Sequence, residues 1–566
     1  MTHRTLVLCA LVALPLIPAA FAGSTPEPGP RIATIPIPGD KRLVRIARDI
    51  IEARVALNPD LASSIGLFDD AIVVPSYTPE AVKKQDARLA RDLAALDKLP
   101  WRTWDIDQQI DARWLQANAE DARHKLTVER FWTHRYGEYL EPVADAFISL
   151  TTYAPDRVDL RVRLAALLPG MLAEMQQQVT SPTQRDVTTG IGLLDGMAVA
   201  VNQLPDGPER KAAVDALSAS RAALAARDLA PLPEFAVIGA DSYAWKFQHL
   251  LLLPWTPAEL LTRAGDELER VDEQLGTLSF DEPLIPTEAE SGRAAALDKA
   301  GFLKLYDDVV ARNLAALRSM NVLTVPETMP AMRARETPAA LVPLTGDGGS
   351  MNPPLAFGAR SEGWWNVEHW NPDWTQDQRA DRVMDAARED LSGLGPYAVH
   401  EGVPGHHLQL SMLRGMDPIH SILQDGSAVE GWALYAEQLF WEGGGFGPSD
   451  TAHARVLRSY KSRIRRVFYD VNIETGAWTL QQAADWKTQP QEGHAVPDTD
   501  VLRSINWPTQ LITYFAGKSE ILDLREEVRK RQGDAYSERA FNDALLAEGP
   551  IPIALIRAKL LGLPVP

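Results

Sequence analysis

Apolar residues recur every three or four positions along most of the chain, which is the spacing of an amphipathic helix. The clearest stripe comprises Leu43, Ile46, Ile50, Ala53 and Leu57. Comparable runs, most of which open near Pro or Asp, predict further helices at residues 79–96, 105–126, 157–179, 208–226 and 257–278. We therefore expect an N-terminal half that is almost entirely α-helical.

The pattern changes between residues 322 and 374, where Pro, Gly, Trp and Asn are frequent. Short β-like runs at 339–344 and 363–367 predict a small sheet beside a cleft. We favour packing over substrate contact for the tryptophans of this region, Trp364, Trp365 and Trp370. The helical pattern resumes at 375–391 and, after a Gly-Pro break, from Tyr397 onwards.

Residues 1–22 have the organisation of a signal peptide. Arg4 precedes an apolar stretch from Leu6 to Ile17, and small residues precede a cleavage point after Ala22. We therefore expect an exported protein, periplasmic or secreted. No later run is long and apolar enough to predict an integral membrane segment after the signal peptide is removed.

Composition divides the rest of the chain into a short leader and a large helical domain. Residues 23–40 form a Pro-rich leader that cannot be helical. About 540 residues remain after the signal peptide, more than a single core usually needs, so we expect two lobes or a large multi-helix body. We divide the predicted helical domain, 41–566, into an N-terminal helical half (41–325) and a catalytic half (326–566).

Cysteine content and charge exclude several functions. Cys9 is the only cysteine and lies in the predicted signal peptide, so the mature chain has no disulfide and no thiol nucleophile. Its place inside the apolar stretch, with a long hydrophobic tail after it, argues against lipid attachment. The net charge of -19 argues against nucleic acid and anionic membrane surfaces as partners.

Three of the eleven histidines lie within eight residues, in the run His-Glu-Gly-Val-Pro-Gly-His-His from His400 to His407. Imidazole and carboxylate ligands hold a catalytic zinc while leaving one position open for water. Two histidines that bind one ion from a single helix are usually four residues apart, but position 404 is a proline. In a straight helix His407 would share the face of His400 but lie about 10 Å along it.

Pro404 and Gly405 can shorten the distance between His400 and the second histidine. Proline disrupts the helical hydrogen bonds and glycine permits unusual dihedrals, so two residues can bulge out of the helix. His406 then becomes the second metal ligand after His400. His407 is a neighbour that could hydrogen-bond to a ligand, and it is also the alternative second ligand.

Carboxylates complete the predicted site. Glu430 follows His406 by 24 residues, at the start of an apolar and aromatic helix, and is our third ligand for one zinc ion. Glu437 is the alternative ligand or a support for one. Glu401, beside the first histidine, is the predicted general base. This set of residues predicts a metal-dependent hydrolase.

Three motifs in order carry a resemblance to a family. They are His400–Gln409, Glu430–Glu437, and Trp-Pro-x-Gln-x-x-x-Tyr-x-x-Gly at 507–517. Together they resemble the domain-of-unknown-function 885 (DUF885) family, over most of the chain. The resemblance implies a mainly α, zincin-like body similar in architecture to carboxypeptidase Taq, thimet oligopeptidase and angiotensin-converting enzyme. In such a body two helical halves enclose a deep channel, with the small sheet near the active site.

The last motif and its surroundings supply further candidates. Tyr514 is predicted to stabilise the oxyanion, with a core role equally favoured, and Gln510 to bind substrate. Lys518 and Arg525 are possible anchors for a substrate carboxylate, although a structural ion pair is favoured for Arg525. Glu474 stands where the resemblance leads us to expect a histidine, which puts full activity in doubt.

These residues are compatible with three candidate functions. The first is an exported zinc metallopeptidase that acts on short peptides, because a helical channel admits unfolded chains. The second is a zinc hydrolase of another amide or ester. The third is a catalytically impaired metal-binding or peptide-binding protein.

Overall fold

The structure is a computed structural model that describes residues 29–279, 288–338, 342, 348–359, 361–387, 395–487 and 498–566. It is mainly α-helical with one small sheet, which confirms the predicted fold class. Before the sheet lie α1 (Lys41–Leu57), α2 (Asp60–Ser63), α3 (Pro79–Asp97), α4 (Ile106–His124), α5 (Gly137–Tyr153), α6 (Val158–Ala165), α7 (Leu168–Gln178), α8 (Gln184–Asn202), α9 (Pro208–Ala225), α10 (Gly239–His249), α11 (Pro257–Thr277), α12 (Glu288–Ala295) and α13 (Lys299–Met320).

The helices after the sheet contain all the predicted site residues except Gln510. They are α14 (Gln376–Ala387), α15 (Gly395–Glu401), α16 (His406–Ser411), α17 (Pro418–Ile422), α18 (Gly426–Glu442), α19 (Asp450–Glu474), α20 (Leu480–Lys487), α21 (Asp498–Asn506), α22 (Thr513–Gln532), α23 (Glu538–Ala547) and α24 (Ile553–Leu561). None of the described helices is long and apolar enough to cross a membrane.

Local capping explains why several predicted helices start where they do. The side chain of Thr78 accepts a hydrogen bond from Ala81 N at the start of α3, whose first residue is Pro79. Thr256 and Glu259 form a capping box at the start of α11. The predicted run at 157–179 is instead two helices, α6 and α7. The predicted runs do not include α5.

The sheet has the order β1-β3-β2. Strand β1 (Met332–Glu336) runs parallel to β3 (Gly363–Val367), and β2 (Ser350–Asn352) runs antiparallel to it. The strand predicted at 363–367 is therefore present over the same residues, whereas the one predicted at 339–344 lies, apart from residue 342, outside the described residues. Trp365 is fully buried between the rings of Tyr306 and Tyr397.

The largest hydrophobic core takes residues from both predicted halves of the domain, from Ile32 to Leu561. Ile32 and Ile35 of the Pro-rich leader are buried in it, and the described part of that leader, 29–40, is not helical. The predicted signal peptide lies outside the described residues. The division of the domain at 325 stays a prediction.

Helices α18 and α22 cross at two glycines. A Cβ on Gly517 would lie 1.9 Å from Ser427 O, and one on Gly431 would lie 2.5 Å from the Cα of Gly517. Larger residues cannot fit at this crossing without moving the helices apart. Because glycine has no side chain, the two helices approach closely here, and the motifs that contain Glu430 and Tyr514 lie side by side.

Candidate metal centre

A turn at residues 402–405 separates α15 from α16 and determines where the histidines lie. Residues 402–405, which include a cis Val403–Pro404 peptide, separate the two helices, so the predicted bulge is a full helix break. Gly405 N donates to Val399 O at 3.0 Å. A Cβ on Gly405 would lie 2.0 Å from His400 O, so only glycine allows the chain to fold back this closely.

Helix α18 holds this turn in place. Trp432, from the second motif, donates from its indole Nε1 to Pro404 O at 2.9 Å. Gln409 in α16 donates to Ala428 O at 3.0 Å near the start of α18. The side chain of Asp425 caps α18 by accepting from Ala428 N at 2.9 Å. The histidine turn and the glutamate helix are therefore fixed to one another by buried hydrogen bonds.

The structure brings His400, His406 and Glu430 together. Glu430 Oε2 lies 3.3 Å from His400 Nε2 and 3.2 Å from His406 Nε2. The ligand atoms of all three residues lie within 4.8 Å of one another. The two imidazole rings are nearly perpendicular, with their centroids 4.7 Å apart.

These separations suit a tetrahedral ion. Bonds of about 2.0–2.1 Å to zinc place neighbouring ligand atoms about 3.3–3.4 Å apart. Glu430 Oε2 is also a buried oxygen that has no hydrogen-bond partner in the described part of the chain, as expected for an atom that serves as a metal ligand. The residues present therefore fit one divalent cation bound by two nitrogens and one oxygen.

Glu437 orients the first histidine. Its Oε1 lies 3.0 Å from His400 Nδ1, and its Oε2 accepts from Ser459 Oγ at 2.8 Å. A carboxylate in this position fixes the tautomer of a metal-binding histidine, so that Nε2 can face the ion. Of the two roles predicted for Glu437, the geometry fits support of a ligand.

Glu430 carries negative charge in this arrangement. Desolvation raises its pKa, but the two imidazoles lower it more, and the pKa lies well below its usual range. Desolvation also acts against the charged form of His400, yet Glu430 and Glu437 raise the pKa of that imidazole to about 9. Glu430 and His400 therefore favour opposite charges on one another.

Glu401 lies at the end of α15, next to His400, and is partly exposed. Desolvation raises its pKa above the usual value, and the positive charges of His406 and His400 oppose this rise. A carboxyl with a raised pKa beside a reaction centre is suited to both accept and release a proton.

His407 does not point into the cluster. Its Nε2 lies 2.8 Å from Pro330 O, just before strand β1, and desolvation lowers its pKa to about 4. Nε2 therefore carries the hydrogen and donates it to this carbonyl. The side chain therefore ties α16 to the sheet, and the two roles suggested for His407 at the metal stay predictions.

Tyr514 lies against His400. Its ring stacks on the imidazole with centroids 5.9 Å apart, and its hydroxyl accepts from Arg503 Nη2 at 3.1 Å. Desolvation raises the pKa of Tyr514, so the phenol keeps its proton. Because the oxygen accepts from Arg503, that proton is free to be donated into the site.

The other candidates from the last motif lie elsewhere. Lys518 is buried, with Nζ 3.2 Å from the centre of the Tyr460 ring, and desolvation lowers its pKa to about 7. Arg525 Nε and Nη2 lie 2.8 Å from carboxylates of Glu538 and Glu442. Both residues therefore have internal partners, and the ion pair favoured for Arg525 is present. Their role as substrate anchors stays a prediction.

Gln510 is half-buried in the turn before α22, and its Oε1 has no hydrogen-bond partner among the described residues. Tyr397 Oη and His406 Nδ1 are likewise buried and without partners there. Unsatisfied buried polar atoms are uncommon in folded proteins. Of these atoms, His406 Nδ1 belongs to a residue of the candidate metal centre.

Glu474 lies away from the histidines. It is buried, it accepts from Ile238 N at 3.1 Å, and desolvation raises its pKa to about 8. Four residues earlier, Asp470 accepts from Thr509 N and Leu511 N at 3.0 and 2.9 Å. This segment therefore positions the turn that leads to α22.

Sequence reasoning missed the arginines on this face. Arg466 lies over the Tyr514 ring at 4.7 Å, Arg503 donates to its hydroxyl, and Arg463 lies on the same side of α19 as Arg466. The signal that could have found two of them is their three-residue spacing on a helix that also carries Ser459, the partner of Glu437.

The chain matches the protein family described as "Bacterial protein of unknown function (DUF885)" over residues 59–560. It belongs to the DUF885 family. This confirms the resemblance seen in the three motifs. No curated protein matches the chain.

Two solved structures share the fold of this DUF885 protein. One is "a putative lipoprotein of unknown function" from Shewanella oneidensis, with 18% sequence identity and a TM-score of 0.70. The other is "the putative lipoprotein" from Colwellia psychrerythraea, with 16% identity and a TM-score of 0.70. Each similarity covers 92% of this chain and 99% of the other.

Proposed function

We propose that this DUF885 protein is an exported, zinc-dependent metallopeptidase that hydrolyses peptide bonds of short peptides. The observation that carries the proposal is the convergence of His400, His406 and Glu430 at separations that suit a tetrahedral ion. Bound by these residues, zinc supplies a Lewis acid that polarises a carbonyl and lowers the pKa of water.

The chain's own residues have distinct tasks in this proposal. Glu401 accepts a proton from the attacking water and later gives it to the leaving amine. Tyr514 donates its hydroxyl hydrogen to the oxygen on which negative charge develops, while Arg503 holds the hydroxyl in place. Glu437 keeps His400 oriented.

Export rests on two observations. The first 22 residues have the pattern of a signal peptide. The proteins with a similar fold are described as putative lipoproteins, which are envelope proteins. We therefore place this protein in the periplasm or outside the cell.

The central test replaces the proposed base. Glu401→Gln should keep one zinc per chain and lower turnover of a short-peptide mixture by about 10²- to 10⁴-fold. The matched control is Glu269→Gln, which removes an exposed carboxylate from α11 and should leave both unchanged. Full activity in Glu401→Gln would remove Glu401 from this role, and a wild-type protein that binds no zinc would remove the metal centre.

Two alternatives use the same residues and are separated by the same preparation. A hydrolase of another amide or ester would leave the peptide mixture intact but cleave a panel of acyl amides and esters. A metal-binding or peptide-binding protein without catalysis would bind zinc and cleave none of them.

A further inference from the structure

A cavity of about 270 Å³ lies between helices α1, α4, α5 and α10 and the turn that joins α21 to α22. The described residues that line it include none of the three proposed metal ligands. Its volume is close to the lower end of the range for small-molecule sites, about 300–1,000 Å³. The cavity is therefore a candidate for a second binding site, separate from the metal centre.

Aromatic rings form part of the cavity wall. They belong to Tyr77, Phe131, Trp132 and Trp507. Tyr77 and Trp132 stack with their ring centroids 6.0 Å apart, and the indole Nε1 of Trp132 donates to Leu126 O at 3.1 Å. Trp507, the first residue of the third motif, is 48% exposed, and its indole Nε1 donates to Glu141 Oε2 at 3.0 Å. These held rings offer the apolar surface that small-molecule sites commonly have.

The backbone departs from regular geometry on two sides of the cavity. Helix α4 continues as a π-helical turn, Lys125–Glu129, in which Arg130 N donates to Lys125 O at 3.0 Å. Arg130 has a φ of 51°, and Thr509, next to the lining residue Pro508, has a φ of 72°. These are two of the four non-glycine residues with positive φ in the described chain. Because π-turns and left-handed residues are unfavourable locally, they persist mostly at functional sites that the surrounding structure holds in place.

The charged side chains on the walls are mostly cationic, in a chain whose net charge is -19. The cations are Arg54, Lys125, Arg135 and Lys246, and the acids are Glu129 and Glu138. Lys246 lies 2.9 Å from Glu129, and these two charges balance. Arg54 and Lys125 share one buried carboxylate, that of Asp121, at 2.8 and 3.1 Å, and Lys246 also lies 3.4 Å from it. These contacts leave one positive charge in excess.

Arg135 adds a further positive charge. It is 6% exposed and has no ion pair in the part of the chain that the structure describes. Its Nη1 and Nη2 donate to the carbonyls of Asn506 and Ala236 at 3.0 and 3.3 Å, and its guanidinium lies 3.5 Å from the centre of the Phe131 ring. Desolvation raises the pKa of Glu138, although the charges of Arg135 and Lys125 oppose the rise. Four cations thus face Asp121, Glu129 and Glu138, so the walls are positive even when Glu138 is ionised.

An excess charge in a largely enclosed cavity favours a counter-ion, and the aromatic walls favour one with an apolar group. We propose that this cavity binds a small organic carboxylate, whose charge is met by the cationic walls and whose aliphatic or aromatic group lies against the rings. A single negative charge fits the excess better than a dianion such as phosphate. The inference does not depend on the proposed function, because the metal ligands take no part in the cavity.

The test is isothermal titration calorimetry with three acids as probes: hexanoate, 3-phenylpropanoate and indole-3-propanoate. Each acid is compared with its primary amide and with the amine of the same length. We expect at least one acid to bind about 10- to 100-fold more tightly than its amide, as for one charge-assisted contact, and the amine to bind no more tightly than the amide. A carboxylate can also bind zinc, so the titrations are made on metal-free and zinc-loaded protein, and the affinity should be the same in both.

Variants then locate the site. Lys125→Gln removes a half-exposed cation from the wall and should weaken binding of the acid about 10-fold. Arg135→Gln should weaken it by at least as much, because Arg135 is buried. The matched control is Lys304→Gln, which removes an exposed cation from α13 and should leave the affinity unchanged. Thermal unfolding shows that each variant is folded.

Four results would overturn the carboxylate site. They are equal affinities for acid, amide and amine, no binding of any acid up to about 10 mM, binding that requires zinc, and unchanged affinity in both Lys125→Gln and Arg135→Gln. In each of these cases the proposed metallopeptidase would remain to be judged by its own test at Glu401.

Discussion

Helices α19 and α22 both flank the candidate metal centre, yet they use their basic side chains in opposite ways. On α22, Lys518 lies over Tyr460 and Arg525 bonds to Glu442 and Glu538. On α19, the side-chain bonds of Arg463 are to its own helix. This difference shows that a basic residue near a motif is a candidate for binding substrate only when its hydrogen-bonding groups are not already used by the protein.

Adjacent histidines repeat the contrast. His406 turns its Nε2 towards Glu430, whereas His407 uses its Nε2 to donate to Pro330 O. Each ring has a buried Nδ1 without a partner among the described residues, so the two histidines differ in what their Nε2 atoms face: that of His406 faces Glu430, and that of His407 ties α16 to the sheet. Variants at these positions test both contrasts.

The largest effect should come from exchanging these two histidines separately for alanine. His406→Ala should lose stoichiometric zinc, because it removes one of three proposed ligands. His407→Ala should keep zinc and lose about 2–4 kcal/mol of unfolding free energy, because a buried ring and its hydrogen bond disappear. Zinc analysis and urea unfolding of both variants check this, and zinc loss confined to His407→Ala would reverse the assignment.

The next largest effect should follow from removing the support of His400. Glu437→Gln weakens the acceptor for the histidine's Nδ1–H and should lower zinc affinity by about 10- to 100-fold. Glu442→Gln, on the same helix but paired with Arg525, should leave the affinity unchanged. Competition with a zinc-binding dye measures both, and equal affinities would mean that Glu437 does not act on the metal.

A smaller effect is expected from the satisfied arginine. Arg525→Gln leaves the carboxylates of Glu442 and Glu538 without their common partner and should cost about 1–3 kcal/mol of unfolding free energy. Arg463→Gln should cost less, because it breaks only bonds within its own helix. Chemical unfolding curves decide this, and the contrast between α19 and α22 fails if Arg463→Gln is the more destabilising.

The smallest effect concerns Asp425, a buried acid at the start of α18. Burial raises its pKa from 3.8 to about 7, so folding takes up a proton between these values. The resulting contribution to stability is complete below pH 3.8 and is lost as the pH rises through about 7. Asp425→Asn keeps the helix cap and cannot ionise, so it should be more stable than wild type at pH 8 but not at pH 4. Thermal unfolding at the two pH values tests this, and a difference of the opposite sign contradicts the raised pKa.

The sequence by itself determined the local structure around the site. Thr78 and Thr256 start their helices through hydrogen bonds to residues three positions away, and strand 363–367 has the predicted bounds. Pro404 rules out a straight helix, and the bulge predicted at Pro404 and Gly405 favoured His406 over His407 as the second ligand after His400. These features depend on residues that are close together in the chain, so the sequence pattern predicts them.

Only the tertiary structure decided which side chains are occupied and which remain available. Lys518, Arg525 and Arg463 are all basic residues on helices beside the site, and nothing local distinguishes them. The partners of Lys518 and Arg525 lie on other helices, whereas those of Arg463 lie on its own helix. Helices α18 and α22 approach closely because Gly431 and Gly517 place no side chains at their crossing. Such contacts depend on how helix faces pack together, and the period of a sequence fixes each face without fixing what lies against it.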